Sequence, residues 1–240
     1  MSLESKRVIV TGGASGIGRS TVGLLRSRGA EVVVADIADP GDEPQFLACD
    51  VSDGPSVAAM VEAAVAQLGG LDAVVNVAGI QRSGAIDELD EKHWDDQMRV
   101  NVRSCFLTSK YAVPHLKASG GGSIVTTSSL AGVKGFAGMT AYCASKGAVI
   151  AFTRALAVEL ASDNIRANTL CPGWVDTPFN DPVISFQGGP NAHAEIVAAS
   201  VPLGREAAPP EMASWLVFLV SDEASYMTGQ AINVDGGLSA

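Results

Sequence analysis

Tyr142 and Lys146 stand four residues apart in Ala141-Tyr142-Cys143-Ala144-Ser145-Lys146-Gly147, and the residues that follow to Leu160 carry a helical apolar pattern. Four residues is one helical turn, so both side chains share a face. An ammonium beside a phenol stabilises the phenolate and pulls a Tyr pKa of about 10 towards the working pH, which makes a proton-transfer group. Ser128 and Ser129 end an apolar run at 123–127, where a hydroxyl can reach a substrate carbonyl.

A second group of residues points to a phosphate-bearing ligand. Thr11-Gly12-Gly13-Ala14-Ser15-Gly16-Ile17-Gly18 lies between a β-branched run at 7–11 and a helical pattern that ends near Gly29. Backbone N–H groups and a helix dipole can receive a pyrophosphate there. Gly12 can take the tight turn, Gly16 lets the backbone approach the phosphates, and Gly18 lets helix and strand pack closely. Asp36 follows Gly16 by 20 positions, the separation expected of a carboxylate that hydrogen-bonds an adenosine ribose. A carboxylate there repels the 2′-phosphate of NADP, and neither Ser15 nor Ile37 brings a compensating charge; the expected cofactor is NAD(H). Arg19, on the first helical turn, is the nearest objection.

Positioning these groups requires a scaffold that gathers strand ends. Strand candidates at 7–11, 31–35, 45–49, 71–75, 123–127, 165–170 and 231–234 alternate with helical segments. They read as nearly continuous apolar runs, as burial on both faces requires. The expectation is an α/β fold: a single-domain, Rossmann-type doubly wound parallel sheet over residues 1–240, with helices on both faces and ligands at the carboxyl ends of its strands. No Pro/Gly/Ser-rich linker or charge block divides the chain. Residues 179–205, rich in Gly, Pro and small residues with Phe179, Ile184 and Phe186 as apolar anchors, are expected to form a substrate-binding loop.

Composition narrows the function. A formal charge of -10 and 47% hydrophobic residues disfavour nucleic acid and anionic membrane as partners. The longest strongly apolar stretches, Val8 to Val10 and Trp215 to Val220, are far shorter than the roughly 20 residues a bilayer needs. The polar residues 1–7 show no secretory core, so a cytoplasmic location is expected. Cys49, Cys105, Cys143 and Cys171 are scattered, with no metal-ligand or redox spacing, and read as reduced thiols. His93, His115 and His193 read as surface or packing residues, with His193 alone near enough in motif order to reach the pocket.

Over its whole length the chain resembles the short-chain dehydrogenase/reductase family. The resemblance rests on the TGxxxGIG loop, Asp50-Val51, the NxAG segment at Asn76 to Gly79, the Ser, Tyr and Lys above, Pro172-Gly173 ahead of Val175 and Thr177, and the ending Val234-Asp235-Gly236-Gly237. It implies a catalytic set of Asn101, Ser129, Tyr142 and Lys146, with Ser129 preferred because it precedes Tyr142 by the family's 13 positions. It also implies a cofactor site of Gly12, Ser15, Gly16, Ile17, Gly18, Asp36, Asp50, Val51, Asn76, Ala78, Gly79, Tyr142, Lys146, Pro172, Gly173, Val175 and Thr177. Val77 departs from the family's usual second asparagine, which removes any specific role for that position. No metal is implied.

The activity expected is hydride transfer between NAD(H) and an apolar secondary alcohol or ketone, the pocket being completed by Leu130, Phe136, Met139 and Trp174. Two alternatives stand beside it: a 3-oxoacyl-[acyl-carrier-protein] reductase, and an NAD-binding regulator without turnover. Long helical segments at 92–117 and 142–160 carry apolar residues beyond one stripe, and the resemblance implies a homotetramer.

Overall fold

The computed structural model describes residues 2–240. Seven strands make one parallel sheet: β1 (Arg7–Thr11), β2 (Glu31–Asp36), β3 (Phe46–Ala48), β4 (Ala73–Asn76), β5 (Gly122–Thr127), β6 (Ile165–Pro172) and β7 (Ala231–Val234). Their order across the sheet is β3-β2-β1-β4-β5-β6-β7. The order reverses between β1 and β4, where neighbouring loops diverge and leave a crevice at the strand ends.

Strand side chains alternate between two apolar layers. Val8, Val10, Val32, Val34 and Val75 pack under α1 (Gly16–Ser27) and α8 (Pro209–Val220), meeting Leu25, Met212 and Leu216. Ile9, Val33, Ala35 and Val74 face the opposite layer. There α2 (Gly54–Leu68), α4 (Ser104–Ala118) and α5 (Thr140–Leu160) contribute Val57, Met60, Leu116 and Leu160. Burial on both faces explains why the strands read as continuous apolar runs rather than clean alternations.

All seven expected strands form, with shifted ends. β4 begins two residues late because Asp72 is used as an anchor, its carboxylate taking the Arg7 guanidinium through Nε at 2.8 Å and Nη2 at 2.8 Å. The segment expected as one helix at 92–117 divides into α3 (Glu91–Gln97), a π-helical turn (Met98–Arg103) and α4. The expected loop at 179–205 is largely helical, with α6 (Asp181–Phe186) and α7 (Pro190–Ser200) joined through Gly188 and Gly189 at φ of 100° and 101°. Val183, rather than Ile184, is its buried anchor, packed with Ala131, Met139 and Tyr142.

Candidate active site

One cavity of about 550 Å³ opens along the carboxyl ends of the strands, from Asp36 at one end to Tyr142 and Trp174 at the other. The glycine-rich turn forms its floor. Gly12 adopts φ 70°, and a Cβ there would meet the backbone N of Ala78 at 2.5 Å, so only glycine lets the β1 and β4 ends approach. Gly18 does not line the cavity; a Cβ on it would stand 2.0 Å from the carbonyl oxygen of Gly12. Its role is the close helix–strand packing that brings the start of α1 to the cavity.

Ser15 caps α1 through its backbone position but makes no side-chain capping bond, so no side chain shields the first-turn N–H groups of α1. Asp36 ends β2, accepting from Ala14 N at 3.1 Å and from Ile37 N at 2.8 Å. Arg19 pairs with Asp42, so its charge is engaged away from Asp36. Asp50 and Val51 line the wall beyond; hydrogen bonds from Ser52 hold the Asp50 carboxyl below the usual range. Across the cavity, Pro172, Gly173, Val175 and Thr177 leave β6, and Thr177 Cγ2 lies within 3.4 Å of where a Gly16 Cβ would sit. A glycine cradle, an open helix N-terminus and a carboxylate at the far end fit a dinucleotide.

At the other end α5 presents Tyr142 and Lys146 from successive turns. Both are buried, and the ammonium lies 5.7 Å from the centre of the phenol ring. Lys146 Nζ donates to Thr127 O at 3.0 Å. Ser129 follows β5 and accepts from Ala131 N at 3.1 Å, which fixes its hydroxyl against the cavity. Ser128 is differently employed: its hydroxyl donates to Lys146 O at 2.8 Å and ties β5 to α5.

The electrostatics here correct the expectation that Lys146 draws the phenol down. Burial pushes the Tyr142 hydroxyl up, and the Ser129 hydroxyl only partly offsets it through a hydrogen bond. Lys146 is itself held down to about 8 by burial. Desolvation therefore outweighs the pair's attraction in the protein alone. The neighbouring thiols of Cys105 and Cys171 are buried and pushed up by burial, Cys171 to about 11, so both remain protonated.

Asn101 and Asn76 do not line the cavity. Asn101 lies in the π-helical turn, where its Nδ2 donates to Ile80 O at 2.9 Å and Ser145 Oγ at 3.0 Å while its Oδ1 accepts from Ile80 N at 2.8 Å. It pins the strand-end segment carrying Gly79 against α5. Asn76 accepts from the Thr108 hydroxyl at 2.8 Å and donates to Thr126 at 3.4 Å, beneath the sheet end.

The pocket residues Leu130, Phe136, Met139, Trp174 and Phe179 line the cavity as the sequence led us to expect, and Phe179 stands 6.1 Å from the Tyr142 ring. Ile80, Gln81 and Leu238 were not foreseen. Leu238 reaches the cavity because Gly236 and Gly237 adopt φ of 65° and 91° and fold the chain end inward; the paired glycines were the signal for it. His193 is buried behind the wall, its ring nitrogens 2.7 Å from Gln187 Oε1 and 3.1 Å from Glu206 Oε1, with Trp174 between it and the cavity. Among the described residues no cluster of His, Cys, Asp and Glu could hold a metal, and no helix is long and apolar enough to cross a membrane.

A family model described as enoyl-(acyl carrier protein) reductase matches residues 12–239. The chain belongs to the short-chain dehydrogenase/reductase family. It is 38% identical to a 3-oxoacyl-[acyl-carrier-protein] reductase of Thermotoga maritima, covering 99% of each. It is 39% identical to cis-4-hydroxycyclohexanecarboxylate dehydrogenase of Sinomonas cyclohexanicum, covering 97% of this chain and 96% of that one. The ligand-free aldohexose dehydrogenase of Thermoplasma acidophilum superposes with a TM-score of 0.93 at 34% identity, over 99% of this chain and 95% of that one. The protein is thus an oxidoreductase acting on CH–OH groups or the corresponding carbonyls with a nicotinamide cofactor.

Proposed function

We propose that this short-chain dehydrogenase/reductase interconverts an apolar secondary alcohol and its ketone with NAD(H), using Ser129, Tyr142 and Lys146. The observation that carries the reading is the single cavity joining the Asp36 carboxylate to the Tyr142 phenol. The glycine turn, Ser15, Gly16 and Ile17 take the pyrophosphate; Asp36 takes the adenosine ribose, Asp50 and Val51 flank the adenine, and Ala78, Gly79 and residues 172–177 border the nicotinamide half. Bound in this way, the cofactor supplies the hydride acceptor in oxidation and the hydride donor in reduction.

In the reductive direction Tyr142, kept protonated by burial, gives its proton to the substrate oxygen while Ser129 donates a hydrogen bond to that oxygen; oxidation runs the same path backwards and uses the phenolate. Lys146 holds positive charge near the phenol and binds the nicotinamide ribose. Asn101 is a positioning residue, tying Ile80 to Ser145, the residue that precedes Lys146 on α5. The Trp174, Phe136 and Phe179 wall excludes water and selects apolar carbon. NAD is favoured over NADP because Asp36 repels a 2′-phosphate and Arg19 is already paired.

Reduction of a β-ketoacyl thioester on an acyl carrier protein is the second reading, favoured by the 38% identity to the Thermotoga reductase. Net charge of -10 opposes docking of an acidic carrier, and Asp36 opposes NADPH. The exposed Phe106 on α4 and Val158 on α5 support assembly as a homotetramer, and the reading places the enzyme in the cytoplasm. The test is nicotinamide absorbance with a panel of secondary alcohols and NAD or NADP, beside Tyr142→Phe. NAD-linked turnover that falls by about 10²-fold or more in the variant, with NAD binding retained, is the expected result. An active variant, or equal turnover with NADP, refutes the assignments.

A further inference from the structure

Among the described residues, charge in the cavity lining is confined to Asp36, Asp50 and Lys146. Asp36 and Asp50 stand at the adenosine end, and Lys146, the one cationic side chain lining the cavity among the described residues, donates to Thr127 O at 3.0 Å. Apart from Lys146, which the proposed function assigns to the nicotinamide ribose, no cationic side chain of the lining is offered to a carboxylate, sulfonate or phosphate on a substrate. The wall beside Ser129 and Tyr142 is otherwise carbon, from Leu130, Phe136, Met139, Trp174, Phe179 and Leu238.

Two side chains in that lining hold a buried polar atom without a partner, Thr127 Oγ1 and Gln81 Oε1; Thr127 ends β5, and Gln81 is the one on the loop that follows β4. Gln81 is 3% exposed, its Nε2 donates to the Ser83 hydroxyl, and its Oε1 is buried with no hydrogen-bond partner. The residue is held in place from behind. Asn101 clamps both backbone groups of the preceding Ile80, and Gly79, one residue earlier, would carry a Cβ within 3.5 Å of Lys146 Nζ. Gln81 therefore stands close to the reacting groups on a fixed segment. A buried acceptor left unpaired is unfavourable, and a ligand that supplies a donor removes that cost on binding. A hydroxyl is the fitting group, since it both donates and accepts and so satisfies the amide in either orientation.

We propose that Gln81 determines substrate specificity by taking a second hydroxyl group, so that the natural substrate is an uncharged diol or hydroxyketone on an otherwise apolar frame. The proposal rests on the assignment of Ser129 and Tyr142 as the reacting end. An anionic substituent in this position finds at most an amide N–H and no cation to repay its desolvation, and is disfavoured. An alcohol with no second hydroxyl leaves Oε1 unpaired.

The test compares kcat/KM of the intact enzyme for cyclohexanol, the cyclohexane-1,2-, 1,3- and 1,4-diols, and 4-hydroxycyclohexanecarboxylate. At least one diol should exceed cyclohexanol by about tenfold, and the hydroxy acid should be the poorest. In Gln81→Met the ratio of kcat/KM for the diol to that for cyclohexanol should fall by about tenfold, and Gln81→Asn, which shortens the reach but keeps the amide, should lose the preference too. A purely structural role would lower all substrates together. Equal rates for diol and monool in the wild type, or a ratio unmoved in Gln81→Met, overturn the proposal while leaving the alcohol reading intact. Best turnover of the hydroxy acid also overturns it. No turnover of any alcohol or ketone with either cofactor removes the alcohol reading and the proposal together.

Discussion

Replacing Lys146 by Met is expected to stabilise the cofactor-free protein at pH 7 while abolishing turnover. Burial lowers the lysine from 10.5 to about 8 in the folded state, and that interval corresponds to about 3 kcal/mol. Between those two values the unfolded chain binds more protons than the folded one, so wild-type stability rises with pH there and the full penalty is present only below about 8. Methionine carries no charge to desolvate and has a similar length. Against the gain stands the hydrogen bond to Thr127 O, whose loss costs about 1–2 kcal/mol. A net gain of about 1–2 kcal/mol at pH 7 raises Tm by about 2–8 °C. By pH 10 the penalty has shrunk to under about 1 kcal/mol, and the variant should be no more stable than wild type. Tyr142 is present in both proteins, so its own titration largely cancels in the comparison. The assay is urea or thermal unfolding of both proteins, followed by circular dichroism from pH 7 to 10. A stability difference that stays flat across this range, or a variant already less stable at pH 7, refutes the claim that desolvation of Lys146 dominates its energetics.

Asp36→Asn removes the charge and keeps an acceptor oxygen for only one of the two backbone donors, Ala14 N on Oδ2 and Ile37 N on Oδ1; the ratio of kcat/KM with NADP to that with NAD should rise about tenfold or more, read from initial rates. Gly18→Ala places a methyl 2.0 Å from Gly12 O and should cost about 3 kcal/mol together with most dinucleotide affinity, whereas Gly23→Ala, on the same helix with nothing within 4 Å, should stabilise by about 0.5–1 kcal/mol in the same unfolding experiment. Asn101→Ala strands both polar groups of Ile80; hydrogen exchange at the Ile80 amide should accelerate and kcat should fall more than KM changes.

Which parts of this molecule could be read from the chain follows from how locally each is encoded. The seven strands were legible because burial on both faces imposes continuous runs such as Val8-Ile9-Val10 and Val32-Val33-Val34, a demand made residue by residue. The Tyr142–Lys146 pair was legible because one helix fixes its geometry. The same logic explains the failures. The phenol's protonation depends on how completely α6, Phe179 and the β5 end enclose it, and no local spacing reports that enclosure; burial therefore reversed a shift that the pair alone would have produced. Asn101 illustrates the point most sharply. Its position in the chain places it in a helix, but the amide acts across 21 residues of sequence on Ile80 and across 44 on Ser145, and the turn that carries it is π-helical, a form associated with functional sites. The widened turn and the fully used amide are one device: they hold the segment bearing Gly79, Ile80 and Gln81 against α5. The strand-end wall and the Tyr142–Lys146 helix are thereby kept in register without Asn101 touching the cavity itself.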